Sequence, residues 1–348
     1  MKREYNYNIK NLFCLSALVF YSAGYAQDTV FIPSDTVADP TIFPVDTSRS
    51  YTTEHINDST FIRYYAPEWH DFITNIPGDV AVAGKTLFSR QSVKPLAIIA
   101  GTTALLYMFD RPLVDGTQKF SRDIGLDPQS RFESFIKIGD IDIMQVPGNL
   151  NTGFYFFGEG WTSVLLFSGI GLHGAFTKNN KEVLMLSQFI EGYIEMGITV
   201  QILKRSFGRQ TPRAATTDRG KFQFFPPFSR YQKNVSHFDA MPSGHMATMA
   251  FTVTLLSEHY PDNIWIRPVG YTLMGICGLS MLNNGVHWAS DYPLGFGIGY
   301  LFAKIVSQRG KVVHHTGRKQ NLLNRLEVSP TFFETGESGI KLTFQLSK

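Results

Sequence analysis

Three short polar segments, each at the edge of an apolar stretch with helical periodicity, constrain the fold of this chain most strongly. They lie at residues 203–213, 241–245 and 287–291. The helical patterns run over roughly 69–89, 95–109, 160–176, 182–205, 245–259, 264–282 and 290–307. A bundle of these helices has to bring the three segments together at one end. We therefore predict an all-α fold, with residues 110–151 forming short helices and loops.

The segment at residues 241–245 has the composition of an anion-binding helix start. Pro242 suits the first positions of a helix, Ser243 offers a hydroxyl group, and Gly244 lets an anion approach the backbone without a Cβ in the way. Backbone N–H groups at a helix N-terminus point outward and favour negative charge. We therefore expect this segment to hold a phosphate group, with His245 as an adjacent proton donor.

The segment at residues 287–291 pairs an imidazole with a carboxylate. Asp291 lies four residues after His287, so a helix that begins near Trp288 lets the carboxylate reach an imidazole nitrogen. That contact fixes the tautomer and leaves the other nitrogen free to attack. The pair alone is weak evidence, because i, i+4 pairs are common on ordinary helices.

Four cations lie within the ten residues from Lys204 to Arg213. Their position at a helix C-terminus is favourable electrostatically, which explains them without a ligand. Taken in order with the other two segments, they resemble the signature of the type 2 phosphatidic acid phosphatase and vanadium haloperoxidase superfamily. That signature reads Lys-x6-Arg-Pro, then Pro-Ser-Gly-His, then Ser-Arg-x5-His-x3-Asp. The matching positions are Lys204, Pro212, residues 242–245, Ser280, His287 and Asp291.

The resemblance implies a six-helix-core bundle over roughly residues 95–307 and a metal-independent phosphoric ester hydrolase. It implies that His287 is the nucleophile that forms a phosphohistidine, that Asp291 orients it, and that His245 protonates the leaving oxygen. The residues implied to hold the phosphoryl oxygens are Lys204, Ser243 and Gly244. We expect no metal and no cofactor at this site. The expected substrate is a phosphorylated lipid or a small phosphate ester.

Two arginines of the signature are missing, since Thr211 and Met281 stand at their positions. Bidentate arginine contacts to phosphate are stronger and better oriented than single lysine contacts. If each arginine contributes ~2 kcal/mol in the transition state, losing both slows the reaction by a factor on the order of a thousand. Arg209 and Arg213 flank Thr211 and are candidate phosphate ligands in their place.

Two other functions stay open. A vanadium haloperoxidase uses the same cradle to hold vanadate, but loss of two arginines weakens retention of that anion. The same loss suggests the second alternative, a non-catalytic descendant that binds a phosphate headgroup without turnover. Nucleic acid is not an expected partner, because the net charge is +3 and the cations are scattered apart from the cluster already described.

The 348 residues favour one sizeable domain with extensions. Residues 1–26 have the pattern of a secretory signal, with cations before the apolar residues 12–20 and small side chains at Gly24 and Ala26. Residues 27–67 are rich in Asp, Thr, Ser and Pro, which predicts an extended or disordered leader. The helical domain then covers 68–309, and residues 310–348 form a basic linker and a small β-hairpin.

The signal predicts an exported protein of the periplasm or cell envelope. The predicted helix at 95–109 has only fifteen residues, and the one at 182–205 contains Glu191 and Glu195. Both are poor fits to the ~20 apolar residues that cross a bilayer. We therefore favour a domain that does not span the membrane but contacts its surface through exposed aromatic side chains, with spanning helices as the alternative.

Overall fold

A computed structural model of the chain describes residues 43–57, 60–315, 326–332 and 338–344. The predicted signal at 1–26 and the leader up to residue 42 lie outside these ranges. The helices are α1 (Asp71–Thr74), α2 (Ile76–Leu87), α3 (Val93–Asp123), α4 (Leu150–Phe156), α5 (Gly160–Thr177), α6 (Asn180–Phe207), α7 (Phe228–Lys233), α8 (Gly244–His259), α9 (Ile266–Asn284) and α10 (Tyr292–Val306). The strands are β1 (Tyr51–Asn57), β2 (Thr60–Tyr65), β3 (Phe132–Ile138), β4 (Ile141–Pro147), β5 (Lys311–His315), β6 (Leu326–Phe332) and β7 (Ser338–Phe344).

The fold is mostly helical, and small antiparallel sheets accompany the helices. The predicted C-terminal hairpin is confirmed, with β6 paired to β7. The all-α prediction was incomplete, because β1, β2 and β5 form a three-stranded sheet and β3 pairs with β4.

The three-stranded sheet includes a stretch predicted to be an extended or disordered leader. Strand β2 lies between β1 and β5, and its last two residues, Tyr64 and Tyr65, are buried. In β1, Thr52 Oγ1 accepts a hydrogen bond from the Asn180 backbone N–H at 2.9 Å, and the Glu54 carboxylate accepts one from Lys181 Nζ at 2.6 Å. Residues 51–65 are therefore tied to the first turn of α6 and belong to the folded domain.

Helix α3 continues well beyond the predicted end at residue 109. Pro112 lies inside the helix and lacks the N–H that would bond to the carbonyl oxygen of Met108. Arg219 Nη2 donates to that oxygen at 3.4 Å. This partner compensates for the bond that proline removes, and the helix reaches Asp123.

The β3–β4 hairpin replaces the short helices predicted between residues 110 and 151. Its strands are joined by Gly139 and Asp140, and Gly139 has φ of +61°. A left-handed residue in a two-residue connection is typical of a tight hairpin. Several apolar side chains of the hairpin are exposed, namely Phe135, Ile136, Ile138, Ile141 and Ile143.

Helix α8 lies at the centre of the bundle. One face joins a core with α5, α6 and α10, and the other joins a second core with α3 and α9. Helix α10 approaches α8 so closely that a Cβ on Gly295 would collide with the carbonyl oxygen of Ser243, and one on Gly299 with that of Ala247. The absence of a side chain at these two glycines makes this approach possible. These two glycines therefore fix the start of α8 against the start of α10.

Two helices in the described residues are long and apolar enough, by length and composition, to cross a membrane. One is α3 with the turn before it (Arg90–Asp123), and the other is α6 (Asn180–Phe207). Only 17% of the apolar window of the first is buried inside the protein, against 50% for α6. The expectation that this first helix has only fifteen residues was wrong.

Candidate active site

The three polar segments meet at one end of the bundle. Lys204 lies in the last turn of α6, Ser243 precedes α8, and Asp291 lies in a 3-10 turn just before α10. The Ser243 backbone N–H donates to the Asp291 carbonyl oxygen at 3.1 Å, which joins two of the segments directly. The rings of His245 and His287 have their centroids 6.3 Å apart, at an interplanar angle of 63°.

His287 is buried and its tautomer is fixed by a backbone carbonyl. Its Nδ1 lies 2.6 Å from the carbonyl oxygen of Ala240. A carbonyl oxygen only accepts, so Nδ1 carries the proton and Nε2 of the neutral ring is left with its lone pair. Asp291 Oδ2 is 3.8 Å from Nδ1, beyond hydrogen-bond distance. The expectation that Asp291 orients the ring through direct contact with an imidazole nitrogen is therefore corrected, because the Ala240 carbonyl oxygen accepts the hydrogen bond and Asp291 supplies a nearby negative charge.

Asp291 is itself held in place by two donors. The Trp288 backbone N–H donates to Oδ2 at 2.7 Å, and Arg209 Nη1 donates to Oδ1 at 2.5 Å. Both contacts are buried, since Asp291 and Arg209 have no exposed surface. The carboxylate is thus fixed beside His287 rather than free to rotate.

Arg209 was predicted to bind phosphate, and the structure corrects this. Its Nη2 donates to Asp110 Oδ2 at 2.6 Å and to the Arg219 carbonyl oxygen at 2.9 Å, in addition to the bond that Nη1 makes to Asp291. The side chain is fully buried between aromatic rings, with its guanidinium carbon 5.3 Å from the ring centroid of Trp288. Arg209 therefore positions Asp291 and does not reach the pocket.

Asp110 on α3 was not predicted to belong to the site. Its Oδ1 accepts from the Ser290 backbone N–H at 3.0 Å, and its Oδ2 accepts from the Ser290 hydroxyl at 2.6 Å. It thereby ties α3 to the turn that carries Asp291. The sequence signal for it is an isolated acid directly after the apolar residues 105–109. Charged residues are rarely fully buried without a partner, so an acid that is buried there indicates a cation or hydrogen-bond donor beside it.

His245 packs in an aromatic and sulfur-lined corner. The ring of Tyr155 lies 4.1 Å from its ring, centroid to centroid, and Gly158 has no room for a Cβ because His245 and Cys277 contact it. Its Nε2 is buried and has no hydrogen-bond partner among the described residues. Burial, reinforced by the charges of His287 and Lys204, holds the pKa of His245 well below its usual range.

Lys204 has an acidic partner that the sequence did not indicate. Its Nζ lies 2.6 Å from Asp239 Oδ2, and the hydroxyl of Tyr231 donates to the other oxygen of Asp239. The side chain of Lys204 is 8% exposed and that of Asp239 is 26% exposed. Asp239 thus faces the solvent side of the pair and competes with any anion for Lys204.

Ser243 and Gly244 occupy the helix start predicted for them. Ser243 is the N-cap of α8, and its hydroxyl oxygen lies 3.4 Å from the Met246 backbone nitrogen. The same hydroxyl lies 3.6 Å from Met281 Sδ, in the position where the resemblance expects an arginine. A Cβ on Gly244 would meet Val200 Cγ1 only at 3.9 Å, so packing within the protein does not require glycine there.

Arg213 is exposed, and its backbone N–H donates to the carbonyl oxygen of Gly285 at 3.0 Å, two residues before His287. Burial raises the pKa of Tyr155, and the charge of Arg213 partly opposes that shift. Thr211 does not take the place of the missing arginine, since it is buried and its hydroxyl donates to the Ser236 carbonyl oxygen at 2.9 Å.

Two groups of side chains among the described residues are spaced to hold a metal ion, and neither includes a residue of this pocket. One is Glu68, His70 and Asp71. The other is Asp79, Glu191 and Glu195.

Comparison with known proteins identifies the region around the pocket. Residues 185–312 match the family model described as PAP2 superfamily. A lipid A 1-phosphatase of Porphyromonas gingivalis is 33% identical over 79 residues, which is 22% of this chain and 18% of that protein. The chain therefore spans less than a fifth of the length of this curated relative. The crystal structure of a transmembrane PAP2-type phosphatidylglycerolphosphate phosphatase from Bacillus subtilis aligns with a TM-score of 0.34 and 17% identity, covering 68% of this chain and 94% of that one.

Proposed function

Because the chain is a member of the PAP2 superfamily over residues 185–312, we propose that it hydrolyses phosphoric monoesters through a phosphohistidine at His287. The observation that carries this proposal is the fixed tautomer of His287. Its Nδ1 is committed to the Ala240 carbonyl oxygen at 2.6 Å, so Nε2 is the nitrogen that attacks phosphorus. Asp291, 3.8 Å from Nδ1, stabilises the positive charge that the ring gains on attack.

In the proposed reaction His245 gives a proton to the leaving oxygen and later takes one from water. Attack by Nε2 forms the nitrogen–phosphorus bond as the ester oxygen departs, and water then cleaves that bond to release phosphate. The 6.3 Å separation of the two rings is suited to a phosphoryl group between them. A bound phosphate dianion raises the pKa of His245 from its depressed value, because opposite charge favours the imidazolium form.

The phosphoryl oxygens are proposed to contact Lys204, the N-terminus of α8 and Arg213. Ser243 lies at that N-terminus, and Gly244 leaves the backbone accessible where protein packing does not demand a glycine. Arg213 is exposed and is the remaining candidate for the charge lost at Thr211 and Met281. Lys204 becomes available when the anion displaces Asp239.

A lipid phosphate is the substrate class that the surroundings favour. The base of the β3–β4 hairpin lies beside the pocket, with the ring of Phe132 6.0 Å from that of Tyr155. The hairpin exposes five apolar side chains, interleaved with the charged Glu133, Lys137, Asp140 and Asp142. After α6 the chain exposes three further aromatic rings, Phe224, Phe225 and Phe228. Contiguous exposed apolar side chains on a soluble surface are uncommon and mark membrane or lipid contacts. The lipid A 1-phosphatase of Porphyromonas gingivalis adds support for a lipid substrate.

We also propose that the chain is a cell-envelope protein in which lipid covers α3. This helix has 31 residues, and most of its apolar window faces outward. An apolar helix of this length spans ~30 Å of hydrocarbon, whereas exposing it to water is unfavourable. The sequence-based preference for a non-spanning domain rested in part on a predicted length of fifteen residues for this helix.

The test is turnover by the purified full chain and by His287→Gln, measured as phosphate release from p-nitrophenyl phosphate. We expect the variant to lose at least a thousandfold in kcat, because it has no nucleophile. His173→Gln is the matched control and should retain the wild-type rate, since His173 is exposed and pairs with Glu182 away from the pocket.

Four results would contradict the proposal. Substantial turnover by His287→Gln would show that His287 is not the nucleophile. A fall in the initial rate on adding a chelator, in an assay run well below the unfolding temperature, would argue for a metal-assisted reaction. Binding of phosphate or lipid phosphate without turnover by the wild type would favour a non-catalytic descendant. Bromide oxidation in the presence of vanadate and peroxide would identify a haloperoxidase instead.

A further inference from the structure

A buried cluster of three carboxylates lies apart from the catalytic pocket. Asp79 is on α2, and Glu191 and Glu195 are on α6, with exposures of 0%, 1% and 2%. Each of them offers an oxygen, and these oxygens all lie within 4.8 Å of one another. Glu195 and Lys204 are nine residues apart on α6, which corresponds to about 14 Å along the axis.

Among the described residues, Arg309 is the cation that pairs with this cluster. Arg309 Nε donates to Asp79 Oδ1 at 2.7 Å and lies 3.2 Å from Glu191 Oε1. Asn75 Nδ2 donates to the other oxygen of Glu191 at 3.1 Å. Three carboxyl groups therefore share one guanidinium, and burial raises the pKa of both Glu191 and Glu195, so that protons balance their charge when no ion is bound.

Glu195 is the member of the cluster whose surroundings point to a missing ligand. Both of its carboxylate oxygens are buried and have no hydrogen-bond partner among the described residues, and the same holds for Asp79 Oδ2. Ion pairing with Arg309 explains Asp79 and Glu191 but not this third acid. A buried carboxylate is costly in its charged form when it has no partner. The charged form persists where the carboxylate is paired with a cation or coordinates a metal.

The oxygen positions suit a hard divalent cation. In a Ca²⁺ site the oxygens lie about 2.3–2.6 Å from the ion, so that no pair is separated by more than about 5 Å, and the oxygens of this cluster lie within 4.8 Å of one another. Mg²⁺ usually keeps several waters, whereas Ca²⁺ accepts sites made largely of protein oxygens. Glu191 also lines a pocket together with Gln188 and Arg309, so this pocket reaches one of the three acids.

We infer that Asp79, Glu191 and Glu195 bind one Ca²⁺ ion that stabilises the packing of α2 on α6. The ion takes the place of the protons on Glu191 and Glu195, which are released to solvent. It has no part in the phosphoryl chemistry, since none of its ligands belongs to the catalytic pocket. The consequence is a fold whose thermal stability depends on Ca²⁺ while its catalytic groups do not.

The experiment measures the unfolding temperature of the EDTA-treated full chain at pH 8, with and without CaCl2, together with calorimetric titration of CaCl2. For wild type we expect one site per chain and an increase in Tm of about 5 °C at a hundredfold excess over Kd. In Glu195→Gln the increase should disappear. In EDTA that variant should unfold at about the wild-type temperature, because burial raises the pKa of Glu195 to about 9 and glutamine then replaces a neutral side chain of the same shape.

Glu68→Gln is the matched control, since Glu68 belongs to the second, more exposed group of possible ligands with His70 and Asp71. It should keep the full Ca²⁺-dependent increase. If Glu195→Gln fails to fold, Glu191→Gln and the wild-type titration decide the question. Absence of a Ca²⁺-binding site in wild type, an equal increase in Glu195→Gln, or loss of the increase in Glu68→Gln would overturn the inference. Phosphate release from p-nitrophenyl phosphate at 25 °C is a separate readout, so failure here leaves the catalytic proposal untouched.

Discussion

Arg209 and Arg213 lie four residues apart and have opposite surroundings. Arg209 is fully buried against Asp110 and Asp291, whereas Arg213 is exposed. Their sequence positions, on either side of Thr211, make them equivalent candidates for phosphate binding. Burial separates their roles, because only an exposed guanidinium is free to bind a substrate anion.

Substitution of the two arginines should therefore affect different quantities. Arg209→Gln leaves two buried carboxylates without their cation, which costs about 3–5 kcal/mol and lowers Tm by roughly 10 °C. Arg213→Gln should leave Tm unchanged and raise KM for p-nitrophenyl phosphate about tenfold, the loss of one charge-assisted contact. Thermal unfolding and steady-state kinetics of both variants measure this. A stable Arg209→Gln protein with only a raised KM would contradict the assignment.

Asp239 is the residue that most reduces the anion affinity of the pocket. Its carboxylate lies 2.6 Å from Lys204 Nζ, so phosphate has to displace it. Asp239→Asn should lower the inhibition constant for vanadate about fivefold, since the lysine then keeps its full charge for the anion. Inhibition of p-nitrophenyl phosphate turnover measures the effect.

The control for that prediction is Asp115→Asn. Asp115 also accepts a bond from a cation, Arg111 Nε at 3.0 Å, but on an exposed turn of α3. It should leave vanadate inhibition unchanged. Weaker inhibition in Asp239→Asn would show that the carboxylate supports the site instead of competing with the anion.

Among the elements, the β3–β4 hairpin gives the clearest prediction about substrate. Ile138, near its tip, is 68% exposed. Ile138→Ser should reduce hydrolysis of phosphatidic acid in vesicles several-fold and leave p-nitrophenyl phosphate turnover unchanged, because only the lipid substrate needs contact with a bilayer. Parallel assays with both substrates measure the ratio.

Ile73→Ser is the matched control for the hairpin. Ile73 lies on α1 and is also exposed, at 54%, but it is remote in sequence from every residue of the pocket. It should change neither activity. An equal loss of both activities in Ile138→Ser would indicate a structural role for the hairpin, and no loss would exclude it from lipid contact.

Helices with local start and stop signals were predictable, and elements that depend on distant partners were not. Asn179 caps α6 and Gly208 ends it, so its bounds fall within two residues of the predicted 182–205. Helix α3 continues past Pro112, where Arg219, more than a hundred residues away, donates to the Met108 carbonyl oxygen that the proline leaves without its helical partner. Strand β2 pairs with β5, and β1 contacts the first turn of α6, so both strands have partners that are distant in sequence.

At the scale of the whole molecule, the order of the three segments predicted their convergence. The sequence placed His245, His287 and Asp291 in one pocket because each follows or precedes an apolar helix. It did not reveal the Ala240 carbonyl, Asp110 or Asp239, since these act through contacts between distant segments. The groups that position the reacting side chains were therefore harder to find than the reacting side chains themselves.

The most direct test of the central claim is detection of the phosphorylated protein. His245→Asn should still accept a phosphoryl group from p-nitrophenyl phosphate, because nitrophenolate leaves without a proton. The variant should hydrolyse the phosphorylated form slowly, because it lacks the base that takes a proton from water. Rapid quenching in alkali followed by mass spectrometry should locate an acid-labile phosphoryl group on His287. An active wild-type enzyme with no phosphoryl group on His287 in either protein would contradict the account.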